Sequence, residues 1–88
     1  MELQRRMGSY ETELALRAAQ DDRAREELIR RQERNILKIA SRAKHRFVTK
    51  SDDEWSIALC AFSRAIDTFE RGSGGFLPYA ETLIRRAL

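Results

Sequence analysis

The chain has 88 residues, a formal charge of +3, 35% charged and 42% hydrophobic side chains, which bounds it to one small domain or part of one. No apolar run approaches the roughly 20 residues of a membrane-spanning helix, and the opening MELQRRMGSYETE has no apolar core of the kind a signal peptide needs. A single cysteine, Cys60, excludes an internal disulfide and a zinc site of paired cysteines, and a single histidine, His45, removes most hydrolytic and metal-dependent chemistry. A cytoplasmic protein without membrane insertion, cofactor or metal is the expectation.

Glycine and proline are both absent between Gly8 and Gly72, and a long stretch without either breaker favours helix. The first predicted helix covers about 10–20, with Ser9 as its cap and Leu14, Leu16 and Ala18 as its apolar content. Residues 1–12 read as an N-terminal segment prone to fraying, ahead of a helical domain over 13–88. Asp21 or Asp22 caps the next segment, about 22–31, whose acidic start and basic end suit the helix dipole. A further helix covers about 33–47, and continuity of the two through Gln32 is open. Ile29, Ile36, Ala40, Ala43 and Phe47 share one face of that stretch.

The best-marked helix start is Ser51-Asp52-Asp53-Glu54, which matches a capping box and opens a helix to about residue 70. Trp55, Ala58, Phe62, Ala65, Ile66 and Phe69 form its core stripe, while Ile57, Leu59 and Cys60 widen the apolar surface beyond one face. A helix apolar over most of its girth is central to a bundle or binds something. Gly72-Ser73-Gly74-Gly75 ends it. The last helix starts near Leu77-Pro78, with proline in the first turn, and carries Tyr79, Ala80, Leu83, Ile84 and Ala87. It is still in helical pattern at Leu88, so the domain reads as truncated at its C-terminus. The fold class is all-α, a compact bundle of four to five helices. A domain this short buries only about 60% of its unfolded surface, so part of its apolar surface is expected to be completed by a partner or by further chain.

Charge is unevenly placed. Residues 1–22 carry −2, residues 23–50 carry +7, residues 51–70 carry −4 and the remainder +2. Of 17 basic residues 14 are Arg, whose planar fork suits phosphates and bases better than the Lys ammonium. The plain reading is a solvated helix face; adjoining +7 and −4 blocks also predict two different partner surfaces.

No enzyme can be assembled from these residues. His45 lies among Arg42, Lys44 and Arg46 and reads as a surface residue rather than a general base. Cys60 reads as a small buried hydrophobe, and Trp55 as core. Asp52, Asp53 and Glu54 serve a helix start, with no second carboxylate group to complete a metal site. The GSGG loop lacks the Lys-Ser/Thr of a phosphate loop and follows a helix rather than a strand. One constellation remains: Phe76 and Tyr79 beside a glycine-rich loop, with Arg85 and Arg86 two turns on. Stacking faces with guanidinium groups suit unpaired bases and their backbone, although Phe and Tyr at this spacing are more often core.

The order of the segments REELIRR, ILKIASRAKHRF, SDDEWSIALCAFSRAIDTFERGSG and FLPYAETLIRR resembles region 2 of bacterial sigma factors of the sigma-seventy type, in particular the sigma-I group. The likeness covers about residues 13–88. It implies a helical domain that docks on the clamp helices of the largest subunit of core RNA polymerase and captures the promoter −10 element as single strand. The family's docking helix opens on an acidic residue, matched by Asp53, and Ser56, Leu59 and Ser63 occupy the same side. The family's Gln-Glu-Gly is replaced by Ser56-Ile57-Ala58.

The family's melting segment is matched at Phe76, Tyr79, Ala80, Ile84 and Arg85, with its tryptophan pair replaced by Thr82-Leu83. That replacement implies weaker melting and a narrower promoter set. The implied DNA contacts are Phe76, Tyr79, Arg85 and Arg86, with Lys44 and Arg46 on phosphates. Sigma-I factors are longer and pair with a membrane-anchored anti-sigma factor. The alternative function is therefore a helical interaction module covered by an anti-sigma or other regulatory protein, without DNA binding of its own.

Overall fold

The computed structural model describes residues 2–70 and 74–88, with side chains from Tyr10 onward. Four helices follow in order: α1 (Glu2–Ala18), α2 (Asp22–Lys44), α3 (Asp53–Thr68) and α4 (Phe76–Ala87). No strand occurs among the described residues, so the chain is an all-α bundle. Its Cα radius of gyration of 12.8 Å is close to the roughly 12 Å of a globule this long, which makes the helices one body.

α1 starts earlier than expected, so Ser9 lies inside it rather than capping it, and a division after residue 12 falls within the helix. Leu14, Ala15 and Ala18 are buried. Tyr10 ties α1 to α2: its hydroxyl donates to Glu27 Oε2 at 3.4 Å, and the Arg31 guanidinium sits 5.1 Å from its ring centroid. Asp21 caps α2 as expected, accepting from the Arg23 amide at 3.0 Å. The helix then runs unbroken through Gln32, which is buried and accepts from Asn35 Nδ2 at 3.2 Å. The two segments expected over 22–47 are thus one helix, which buries Ala24, Leu28, Ile36, Ile39 and Ala40.

α2 ends earlier than residue 47. His45 adopts the left-handed conformation (φ 57°, ψ 34°). Its amide donates to the Arg42 carbonyl at 3.3 Å, and the Arg46 amide donates to Ser41 at 3.2 Å. That pair of bonds is a Schellman motif with histidine where glycine is usual. The turn reverses the chain and throws Phe47 outward, 84% exposed, while Val48 takes the buried place at 2%. The Ser41 hydroxyl fixes the exchange by accepting from the Val48 amide at 3.0 Å. Phe47 therefore lies beyond the end of α2 and leaves the helix face it was expected to share with Ile36 and Ala40.

The expected capping box at Ser51 does not form. α3 begins at Asp53, after Asp52, and neither Ser51 nor Asp52 caps it through its side chain. Asp52 Oδ2 instead accepts from the Thr49 amide at 2.9 Å, closing the preceding turn, and Glu54 turns to Arg46 at 2.8 Å. Ala58, Phe62, Ala65, Ile66 and Phe69 are buried as expected; Trp55 is half-buried against the same core, and Cys60 is exposed. The expected Gly72 and Ser73 breakers lie outside the described residues. α4 opens at Phe76 with Pro78 in its first turn and buries Phe76, Ala80 and Ile84.

The core is a cluster shared by all four helices. At its centre the Phe76 ring meets Phe62 and Phe69 edge-on, with centroids 5.4 Å away in each case. The Phe76 amide, one of the unpaired donors of a helix start, reaches Thr12 Oγ1 at 3.3 Å and joins α4 to α1.

Candidate functional site

α3 and α4 form an antiparallel pair. At one end the Tyr79 hydroxyl lies 2.6 Å from that of Thr68. At the other, Ser56 and Ile57 share a groove with Arg86 and Ala87. The groove has a volume of about 580 Å³ and is floored by Ile57, Cys60, Ala61 and Leu83, with Arg64 and Arg86 on its rim. Ile57 is 42% exposed in it. The sequence signal for this groove was the apolar girth of α3; reading Cys60 as a buried core residue hid it.

The four residues matched to polymerase docking share one side of α3 but differ in availability. Asp53 and Ser56 are exposed and Leu59 is half-buried. Ser63 is half-buried at the seam with α2, where its hydroxyl accepts from Arg25 Nη1 at 2.7 Å, and the same guanidinium pairs with Asp67. Two positions thus offer open surface and one anchors the helix pair.

The six candidate DNA residues do not form one patch. Phe76 is 0% exposed and enclosed by two phenyl rings, so in this arrangement it supports the core and presents no face to a base. Tyr79 is half-buried, with its ring 5.5 Å from Phe69 and tilted by 53°. The ring is thus only partly covered, and its hydroxyl is held by Thr68. Arg86 lies on the same side of α4 two turns on, about 10 Å along the axis. Arg85 is exposed and 3.8 Å from Glu81. Lys44 Nζ donates to the Leu88 carbonyl at 3.5 Å, joining the ends of α2 and α4.

Arg46 is engaged within the fold. Its guanidinium pairs with Glu54 at 2.8 Å and stands 3.6 Å from Asp52. The Arg46 hydrogen bond holds the Glu54 carboxyl below its usual range. Asp52 is lowered chiefly by the Thr49 amide, with Arg46 adding its charge. Arg46 therefore fixes the start of α3, which carries Asp53. Among the described residues no three His, Cys, Asp or Glu side chains converge as a metal site, and no helix is long and apolar enough to cross a membrane.

No family model matches the chain. It is 44% identical over 66 residues to RNA polymerase sigma factor SigI1 of Acetivibrio thermocellus, covering 73% of this chain and 26% of that protein. It is 42% identical over 72 residues to RNA polymerase sigma factor SigI6 of the same organism, covering 80% of this chain and 28% of the relative. RNA polymerase sigma factor SigI of Bacillus anthracis is 42% identical over 52 residues, 58% of this chain and 22% of the relative. The chain spans about a quarter of the length of the curated relatives it matches. Over that length it is related to sigma factors of the sigma-seventy type, in the sigma-I group.

Proposed function

We propose that the chain is the polymerase-docking and promoter-binding helical unit of a sigma-I-type factor, acting in transcription initiation. The identity of 42–44% to SigI1 and SigI6 over most of the chain carries this reading, and the exposed N-terminal half of α3 supports it. Asp53 and Ser56 stand free on that face, with Leu59 beside them, and the Arg46–Glu54 pair holds the turn from which the face projects. Core RNA polymerase is the partner assigned to this surface. The −10 single strand is assigned to the outer side of α4, with the half-buried Tyr79 ring stacking on a base and Arg85 and Arg86 on phosphates. Phe76 acts beneath them by fixing the start of α4.

The test of the DNA assignment is Tyr79→Ala. Stacking on an aromatic ring is worth about 1–3 kcal/mol per base, so capture of promoter single strand by the polymerase complex should weaken by that amount, with helix content intact. Unchanged capture removes Tyr79 from the interface.

A second reading is favoured by the α3–α4 groove. Its apolar floor and the half-exposed Ile57 suit a protein partner such as an anti-sigma factor, which would cover α3 and leave the chain without DNA affinity of its own. In that case Ile57→Asp abolishes capture of the partner while Tyr79→Ala leaves it unchanged.

A further inference from the structure

The +7 block over residues 23–50 is only partly used by the fold. Arg25, Arg31, Lys44, Arg46 and Lys50 have partners in it. Arg30, Arg34, Lys38 and Arg42 are exposed, and none of their four side chains has an ion pair or hydrogen bond among the described residues. They follow one another at every fourth position of α2, on the side facing away from its buried row. Each step along the helix is about 6 Å, and the row is about 18 Å long. Four like charges at that spacing repel one another, so the fold gains nothing from the row and a polyanion would.

A second feature lies on the same row. Phe47, displaced from the core by the left-handed turn at His45, lines a crevice of about 210 Å³ with Leu37, Val48, Arg34 and Lys38. Its ring is the most exposed large hydrophobic side chain among the described residues, at 84%. The crevice is smaller than the 300–1,000 Å³ of ordinary ligand pockets. It takes one flat group rather than the apolar face of a partner helix.

We infer that this face of α2 binds single-stranded nucleic acid, with Arg30, Arg34, Lys38 and Arg42 tracking phosphates and Phe47 stacking one unpaired base. The site is separate from the α3–α4 surface and extends the reading above by adding a second contact. Three of the four cations are Arg, which matches phosphate oxygens in pairs. A flexible strand can follow a row of cations and turn one base into the crevice. An acidic protein surface would use the charges and leave the aromatic ring without a role.

The probe is a labelled oligodeoxythymidine of about 20 nucleotides, which carries no promoter sequence, bound by the 88-residue chain over a salt series. Replacing all four cations (R30Q, R34Q, K38Q and R42Q together) should flatten the slope of log K against log salt by about 3, at about 0.7 per phosphate for single strands. Phe47→Ala should weaken binding roughly 5- to 150-fold with the slope unchanged. All five side chains are exposed, so circular dichroism should show unaltered helix content.

Wild-type binding by both variants overturns the inference. So does polyglutamate displacing the oligonucleotide as well, charge for charge, as oligodeoxythymidine itself, since that makes the row an acidic-protein surface. Tyr79→Ala separates the two nucleic-acid contacts. If it weakens oligonucleotide binding and Phe47→Ala does not, the α4 contact stands and this one falls; the reverse result keeps this one and removes Tyr79.

Discussion

His45 decides the course of the chain between α2 and α3. A left-handed residue with a side chain is held at a cost of about 1–2 kcal/mol, offset here by the two closing amide bonds of the Schellman turn. His45→Gly is therefore expected to raise unfolding stability by about 0.5–1 kcal/mol, after the larger unfolded-state entropy of glycine is subtracted. Urea unfolding measures it, and a destabilised variant would contradict it. The same turn explains why Phe47 was misplaced by its spacing: no Gly or Asn announces the stop, and the periodicity of 36, 40, 43 and 47 continues past it.

One turn later, Asp52 and Glu54 ionise more readily folded than unfolded. Their contribution to stability is complete above the ordinary carboxylate range, about pH 4–4.5, and is lost as pH falls through their lowered folded values. Arg46→Met should return the Glu54 carboxyl toward its usual range in an NMR titration. Asp52 should keep most of its depression, because its principal partner is the Thr49 amide. A Glu54 carboxyl that does not move would show that Arg46 does not hold the start of α3.

At the scale of elements, α3 and α4 are joined through three phenyl rings, with the Thr68–Tyr79 hydroxyl pair as a polar contact between them. Phe62 sits at that junction, 1% exposed. Phe62→Ala should destabilise by about 3–5 kcal/mol, against about 4–13 kcal/mol available to a chain of this length. A loss below about 1 kcal/mol, read by urea or thermal unfolding, would place the ring outside the core. The α3 stripe, the Asp21 cap and the proline in the first turn of α4 were all legible in the sequence, because each rests on local periodicity or local chemistry.

The capping box at Ser51 failed for a different reason. Its glutamate had a stronger partner in Arg46, eight positions earlier, and pairings across a turn leave no local signature. Phe76 shows the same limit in the candidate site. Its spacing with Tyr79 admits a stacking pair beside the commoner core pair, and the tertiary contacts with Phe62 and Phe69 decide for the core. The pairing of Ser63 with Arg25 was equally invisible, since the partner stands 38 positions away.

For the whole molecule, the charge blocks map onto surfaces. The basic block supplies both the seam to α3, through Arg25 and Arg46, and a free row along α2. The acidic block opens α3, where Asp53 stands exposed while Glu54 is neutralised by Arg46. Local pattern made the bundle and the kinship with sigma-I factors readable in outline. Which charges stay free for a partner became visible only when the helices were packed.

The most direct test of the central claim is the affinity of the 88-residue chain for bacterial core RNA polymerase, measured for wild type, Asp53→Arg and Asp22→Arg. Asp22 is exposed at the start of α2, so it controls for net charge. Wild type should bind, Asp53→Arg should weaken binding at least about tenfold, equivalent to about 1.4 kcal/mol, and Asp22→Arg should bind within about twofold of wild type. No binding by the folded chain, or equal loss in both variants, would contradict a docking surface centred on Asp53.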